Sequence, residues 1–257
     1  MKRMWVLAGA LAVVALVALA GWWIVVNDAR SAGGGTGGGG SNPPGSSTAA
    51  TCAQVAVPLG SSADYAVLGY STVTNTGATA VTGDLGLSPG TSVTGFPPGT
   101  FSGTENLNNS ASATAQADLT SAYANASGRS NCAGTVAGNI GGLTLTPGLY
   151  VSSSSLAISS GYLTLNGQGN AGAVFIFQIA STLTVTSGLQ VVLTNGTQAA
   201  NVFWQVSSSA TLGTTCHVSG TIMAYASITL DTGATLDGRA LAKTGAISME
   251  SSQITMP

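Results

Sequence analysis

Three segments of this 257-residue chain repeat one another at intervals of about twenty residues. They are GLTLTPG (142–148), GYLTLNGQG (161–169) and STLTVTSG (181–188), which set Leu143, Leu163 and Leu183 in equivalent places. Each reads Leu, Thr, then Leu or Val, and closes on a turn. A self-similar period of this length signals a solenoid, because one such unit cannot bury its apolar side alone and must stack on its neighbours. Side chains alternate along a strand, so the Leu and Val positions point inward and the Thr positions outward. SITLDTG (227–233) and AISME (246–250) repeat the theme with looser spacing. AVFIFQIA (173–180) and NVFWQV (201–206) are apolar enough to be strands buried on both sides.

One segment breaks the pattern. SASATAQADLTSAYANASGR (110–129) lines up Ala115, Leu119, Ala122, Tyr123 and Ala126 on one helical stripe, which predicts a helix over about 111–127. Asn109 or Ser110 can cap its start and Gly128 its end, where Arg129 complements the helix dipole. A helix of this length lies along one side of the solenoid.

The chain divides into three parts. Residues 1–30 carry the uncharged run Met4 to Val26 behind Lys2 and Arg3, long enough to span a bilayer. A secretory signal opens in the same way, and ALA (18–20) offers it a cleavage motif. The length of the run and the Trp22/Trp23 pair favour an uncleaved anchor. Residues 31–50 are a Gly/Ser/Pro-rich linker, and residues 51–257 form the folded domain. Either N-terminal reading exports the domain to the cell surface or beyond.

Charged residues make up only 5% of the chain and its formal net charge is −2. Beyond residue 50 the basic side chains are Arg129, Arg239 and Lys243 alone, which excludes nucleic acid as a partner. Of three cysteines, Cys52 opens the domain and Cys132 follows the helix, so this pair can clip the N-terminal end down; three buried thiols are the alternative. No CxxC occurs, and neither a metal nor a cofactor is expected.

Motifs with catalytic associations lack their context. GLSPG (86–90) matches G-x-S-x-G, but Gly95, Pro97 and Pro98 exclude the helix that must follow a nucleophile elbow. His217 is the single histidine, far along the chain, and reads as a solvent-facing or turn residue. GQGNAG (167–172) matches G-x-G-x-x-G, yet a strand follows it, so no helix N-terminus is available for a pyrophosphate. A glycosidase needs two carboxylates flanking a cleft. The acids here stand singly, mostly in turns, and Asp237 is expected to pair with Arg239.

That leaves the threonines. TGAT (76–79), TAVT (79–82) and TGAT (232–235) share the form Thr, small residue, any residue, Thr. Strand propensity and turn chemistry account for most threonines in the chain. They do not require the small neighbours, which keep a surface flat. On a flat solenoid face, coils lie about 4.7–4.9 Å apart and alternate residues about 6.8 Å apart. A grid of methyls and hydroxyls at those spacings can order water into a lattice-like sheet.

The run of motifs ADYAVLGYSTVTNTGATAVTGDLGLSPGTSVTGFPPGT, DLTSAYANASGR, LTLTPGLY, AVFIFQIASTLTVTSG, NVFWQVSSSATLGT and ITLDTGATLDGRALAKTGAISME resembles the bacterial and fungal ice-binding protein family, the β-solenoid type with one long helix. The resemblance covers almost all of residues 52–255. It implies a mainly β fold, a right-handed discontinuous β-helix of roughly triangular section with the helix along one side. It implies a non-enzymatic protein whose partner is the ice crystal surface, bound in some members through T-A/G-x-T/N motifs. The matching positions are Thr76, Thr79, Thr82, Thr232 and Thr235; alternation adds Thr184, Thr186, Thr211 and Thr214. A monomer is expected, with a membrane as second partner if the N-terminal segment stays. Family members often carry a Cys just before NVFW, where this chain has Ala200, while Cys216 appears later. The segment 96–110 is too short for a large capping subdomain. The alternative is an adhesin or carbohydrate-binding module on the same scaffold, which would expose an aromatic platform among Tyr70, Tyr150, Tyr162 and Tyr225.

Overall fold

The computed structural model describes residues 47–50 and 52–257; the apolar segment 4–26 and the linker up to residue 46 lie outside the described residues. Among the described residues the fold is mainly β, a parallel solenoid with one α-helix alongside. Each coil contributes three short strands separated by turns. Gly148–Ser152, Leu156–Ile158 and Leu163–Asn166 make one coil, and Phe175–Ile179, Leu183–Val185 and Val191–Thr194 the next. Equivalent strands stack in parallel register, giving three sides.

The twenty-residue interval is only partly a coil repeat. Thr144 stands opposite Thr164, so that first interval is one full turn of the solenoid. Leu163, however, stands opposite Val191, while Leu183 lies on a different side between Leu156 and Ala210. Coil length varies because the turns absorb insertions while the strands keep register: Phe177 to Trp204 is 27 residues, Trp204 to Ile222 only 18.

The stacking order is not the chain order. The last coil docks on the first, with Val73 opposite Ile247 and Val81 opposite Ile254. The N-terminal coils then run outward to Glu105–Leu107 at one end of the stack. The chain must next reach Gly134–Thr135 at the other end of the same side, eight strand spacings away, or about 38 Å. Helix α1 (Ser110–Ser127), 18 residues long, covers about 27 Å of that distance, and its flanking residues cover the rest. Asn109 caps α1: its side chain accepts from the Ser112 N–H at 2.9 Å, and Ser112 Oγ accepts from the Asn109 N–H at 3.2 Å. At the other end Gln178, from the sheet beneath, donates to the carbonyls of Ala126 and Arg129, both at 2.7 Å. Arg129 ties that end to the N-terminal arm through the Val55 and Ala56 carbonyls.

The side under α1, the helix face, is therefore buried on both surfaces, which explains the unbroken buried runs of Tyr65–Gly69 and Val202–Val206. Ala115, Leu119, Ala122 and Ala126 are fully buried against Leu68, Ile176, Phe203, Met223 and Leu241. Each large side chain so buried stabilises the fold by about 1.5–3 kcal/mol. Inside the solenoid, Tyr150, Phe177 and Trp204 occupy equivalent places in successive coils. Their rings stack at centroid separations of 5.5 and 4.1 Å. Their polar atoms find carbonyls, Thr146 for the Tyr150 hydroxyl and Ser219 for the Trp204 indole.

Cys52 and Cys132 form a disulfide with Cα atoms 5.6 Å apart. Just before it, the chain covers the outer edge of the end strand Gly134–Thr135. Ser47 bridges Val136 in antiparallel sense, the Thr48 N–H donates to the Thr135 carbonyl at 2.8 Å, and the Thr135 N–H donates to Thr48 Oγ1 at 2.7 Å. An uncovered edge would otherwise invite pairing with another chain.

Candidate functional site

Among the described residues, nothing covers the other two sides of the solenoid. One consists of Ser92–Thr94, Thr72–Thr76, Ile247–Glu250, Ile228–Leu230, Ala210–Leu212, Leu183–Val185, Leu156–Ile158 and Gly138–Asn139, in spatial order. Its inward residues, among them Val73, Ile247, Ile228, Leu212 and Leu183, belong to the core. Its outward residues fall in register: Thr94, Thr74, Ser248, Thr229, Thr211, Thr184 and Ala157 form one straight column. Six of the seven carry a hydroxyl, and none has a side chain longer than threonine. Thr74 Oγ1 donates to Ser248 Oγ at 3.2 Å, and beside the column Thr182 Oγ1 donates to Ser155 Oγ at 2.9 Å. This is the hydroxyl face. Among the described residues, Glu250, opposite Thr76, and Asp231, which follows Leu230, bring charge to one edge of it.

The sequence-derived candidates distribute unevenly over this geometry. Thr184 and Thr211 are neighbours in the central column, while Thr76 and Thr186 lie two residues along their strands from it. Thr214 and Thr232 sit in turns at the edge, where Thr232 Oγ1 donates to Glu250 Oε2 at 3.1 Å. Thr79 is buried, its Oγ1 accepting from the Ser252 N–H at 3.1 Å, and has no surface to offer. Thr82 and Thr235 belong to the other uncovered side, opposite Thr255 and Gln253. The spacing of three in Thr76, Thr79 and Thr82 carries the chain around a corner, so these residues cannot share one face. Thr74, Thr94 and Thr229 join this column without having been singled out in the sequence; alternation marks Thr229, between Ile228 and Leu230, but Asn75 after Thr74 and Gly95 after Thr94 break the apolar pattern there.

The second uncovered side is mixed. It carries His217, Thr235, Gln253 and Ala80 along one row and Ser219, Asp237, Thr255 and Thr82 along the next. His217 bridges Thr235 Oγ1 through Nδ1 at 2.7 Å and Asp237 Oδ2 through Nε2 at 3.2 Å. The expected Asp237–Arg239 pair does not form. Between them the strand turns a corner at Gly238, which puts Asp237 on the mixed face and Arg239 under the N-terminal arm, donating to the Ala63 carbonyl at 2.8 Å. A Cβ at Gly238 would lie 1.9 Å from the Gly220 carbonyl oxygen in the neighbouring coil, so only glycine allows the two coils to turn together.

The other reactive groups are structurally committed. Ser88 of the G-x-S-x-G match is buried at a corner, and GQGNAG is the turn between Leu163–Asn166 and Phe175–Ile179. Asp84 accepts from the Thr104 N–H at 2.7 Å while sharing a groove with Asp64 beside the start of α1. Asp118 accepts from both the hydroxyl and the N–H of Ser61, at 2.6 and 2.8 Å, which holds its carboxyl below the usual range. Burial pushes the Cys216 thiol up to about 12, well away from the thiolate a nucleophile needs. Among the described residues no cluster of three His, Cys, Asp or Glu side chains could hold a metal ion. Of the four tyrosines named above, Tyr150 is core; Tyr70, Tyr162 and Tyr225 are exposed.

Comparison with known proteins adds to this geometry. Residues 67–255 match the profile of the family described as ice-binding-like. The chain is 46% identical to an ice-binding protein of Nostoc sp. (strain HG1), over 81% of this chain and 77% of that one. The crystal structure of an ice-binding protein from an Antarctic biological consortium superposes with a TM-score of 0.80 at 53% identity, covering 82% of this chain and 95% of that one. That of an ice-binding protein from the Antarctic ascomycete Antarctomyces psychrotrophicus gives 0.75 at 38% identity, covering 78% and 98%.

Proposed function

We propose a mode of action for this chain, which belongs to the ice-binding-like family and is a non-enzymatic ice-binding protein: it adsorbs to ice through the hydroxyl face. The observation that carries the choice of face is the in-register column from Thr94 to Ala157. Its rows are set by the strand spacing of about 4.8 Å, and parallel pairing keeps that spacing regular along the stack. Short side chains, most with one methyl and one hydroxyl, hold a layer of water without projecting through it. Each contact with the lattice is weak, but a rigid face engages many at once, which makes detachment slow. The mixed face, with His217, Gln253 and Asp237, offers longer and charged side chains that break such a layer.

In this reading Thr76, Thr184, Thr186 and Thr211 act together with Thr74, Thr94 and Thr229, and Thr214 and Thr232 border them. Adsorbed protein then inhibits growth and recrystallisation of ice. Export of the domain is supported by the Cys52–Cys132 disulfide, since such bonds persist in oxidising compartments. Anchoring by residues 4–26 is supported by the length of that apolar run.

The test is thermal hysteresis and ice-recrystallisation inhibition by the wild type and a Thr184→Tyr/Thr211→Tyr variant. Loss of both activities in a variant with an unchanged circular dichroism spectrum is expected. Full activity in that variant would remove the hydroxyl face from consideration.

A further inference from the structure

The corner between the helix face and the hydroxyl face differs in character from everything around it. Most of its turns carry serine, alanine and glycine, but three consecutive coils present Tyr225, Lys243 and Tyr70. Their adjacency follows from the pairing of Ala224 with Ala242, from the Thr244 N–H donating to the Tyr225 carbonyl at 2.9 Å, and from the Tyr70 N–H donating to the Gly245 carbonyl at 3.1 Å. Tyr225 and Tyr70 are 45% and 38% exposed, on a surface where few large apolar side chains show. Two coil spacings, about 9–10 Å, separate them along a straight edge.

The cluster is held in place rather than loosely displayed. Lys243 Nζ lies 4.9 Å from the Tyr225 ring centroid and 5.4 Å from that of Tyr123 on α1. The two rings are 6.1 Å apart, and the Tyr123 hydroxyl accepts from Gln205 Nε2 at 2.8 Å. The turn carrying Lys243 also holds one residue more than its neighbour, four between Ala242 and Ile247 against three between Ala224 and Ile228.

We propose that this corner is a second binding site, for an uncharged pyranose polymer. The apolar C–H face of a pyranose ring stacks on an exposed aromatic ring, and its hydroxyls need a few fixed donors and acceptors at the rim. Tyr225 and Tyr70 supply the stacking surfaces. The Lys243 ammonium, held over the Tyr225 and Tyr123 rings, and the exposed Ser71 supply the polar contacts, and the Thr244 hydroxyl, which donates to the Tyr225 carbonyl, adds an acceptor. Charge selects against an acidic polymer: residues 47–257 carry seven carboxylates against three basic side chains, so the domain repels polyanions. The site is separate from the hydroxyl column and does not depend on the ice-binding mode.

Native gel electrophoresis of the purified protein through gels containing a soluble mixed-linkage β-glucan, dextran or sodium alginate tests this. Retardation by at least one of the two neutral polymers is expected, weakened about tenfold by Tyr225→Ala, as for removal of an aromatic anchor, and also weakened by Lys243→Gln. Tyr162→Ala, which removes an exposed ring at a different corner, should leave retardation intact, and ice-recrystallisation inhibition should persist in all three variants. Lack of retardation by both neutral polymers, retardation by alginate alone, insensitivity to Tyr225→Ala, or equal loss in Tyr162→Ala would each overturn the proposal.

Discussion

Replacing Thr229 by tyrosine puts the proposed ice contact under the most direct strain. Thr229 is the fourth of seven residues in the hydroxyl column, so six spacings of about 4.8 Å make the column about 29 Å long with Thr229 at its centre. From ordinary bond lengths a tyrosine reaches about 4 Å further from the strand than a threonine. A rigid crystal plane resting on that ring can touch only one end of the column, about 14 Å away. The row next to that end is then already lifted by about 1.3 Å, more than the 0.5–1 Å gap that forfeits up to half of a van der Waals contact. One row in seven stays engaged. If each lost row contributes only about 0.5 kcal/mol, the low end for a net hydrogen bond, adsorption weakens by about 3 kcal/mol. That corresponds to roughly 150-fold in residence time at the surface. Thermal hysteresis should fall close to the buffer value, and recrystallisation inhibition should need at least tenfold more protein. Gln253→Tyr on the mixed face should change neither, and both variants should melt within about 2 °C of wild type, since exposed substitutions cost little. Wild-type hysteresis in Thr229→Tyr would show that ice does not rest on the hydroxyl column, as would equal loss in Gln253→Tyr.

Glu250→Thr removes a charge from the edge of the hydroxyl face and continues its pattern; hysteresis at equal concentration should rise, and a fall would show that the carboxylate takes part in adsorption. The Cys52–Cys132 bond spans a sequence separation of 80, for which loop-closure entropy gives about 4.5 kcal/mol. A Cys52→Ser/Cys132→Ser variant should therefore melt about 10–15 °C lower by calorimetry. With its thiol pushed up to about 12 and buried, Cys216 should resist iodoacetamide at pH 8 in the native state and react fully in denaturant. Asp118 binds its proton less tightly in the native state than in the unfolded chain. Its contribution to stability is complete above the unfolded carboxylate's pKa of about 3.9 and is lost as pH falls through the lower native value. Asp118→Asn should accordingly be less stable at pH 7, with a difference from wild type that narrows in acid.

Local patterns were legible where neighbours in space are neighbours in sequence. Ala115, Leu119, Ala122 and Ala126 announced the buried stripe of α1 by spacing alone, and Thr144 and Thr164 showed a true coil repeat. The pattern failed where turns decide. Leu183 resembles Leu163 in context, yet a turn of different length puts it on another side; Gly238 sends Asp237 and Arg239 to different faces in the same way. The hydroxyl column was hidden for a further reason. Thr74 meets Ser248 across 174 residues of chain, a pairing that no local period can disclose.

That meeting of first and last coils bears on how the molecule comes apart. In an open repeat protein each unit touches only its neighbours in sequence, and end units fray without disturbing the middle. Here the C-terminal strands Ile247–Glu250 and Gln253–Thr255 lie mid-stack, clasped between older coils on both sides. Fraying from the C-terminus would open a gap in the interior of the stack and split the hydroxyl face into two pieces. The solenoid therefore behaves as a closed circuit, and native-state hydrogen exchange should report its three sheets opening together rather than coil by coil.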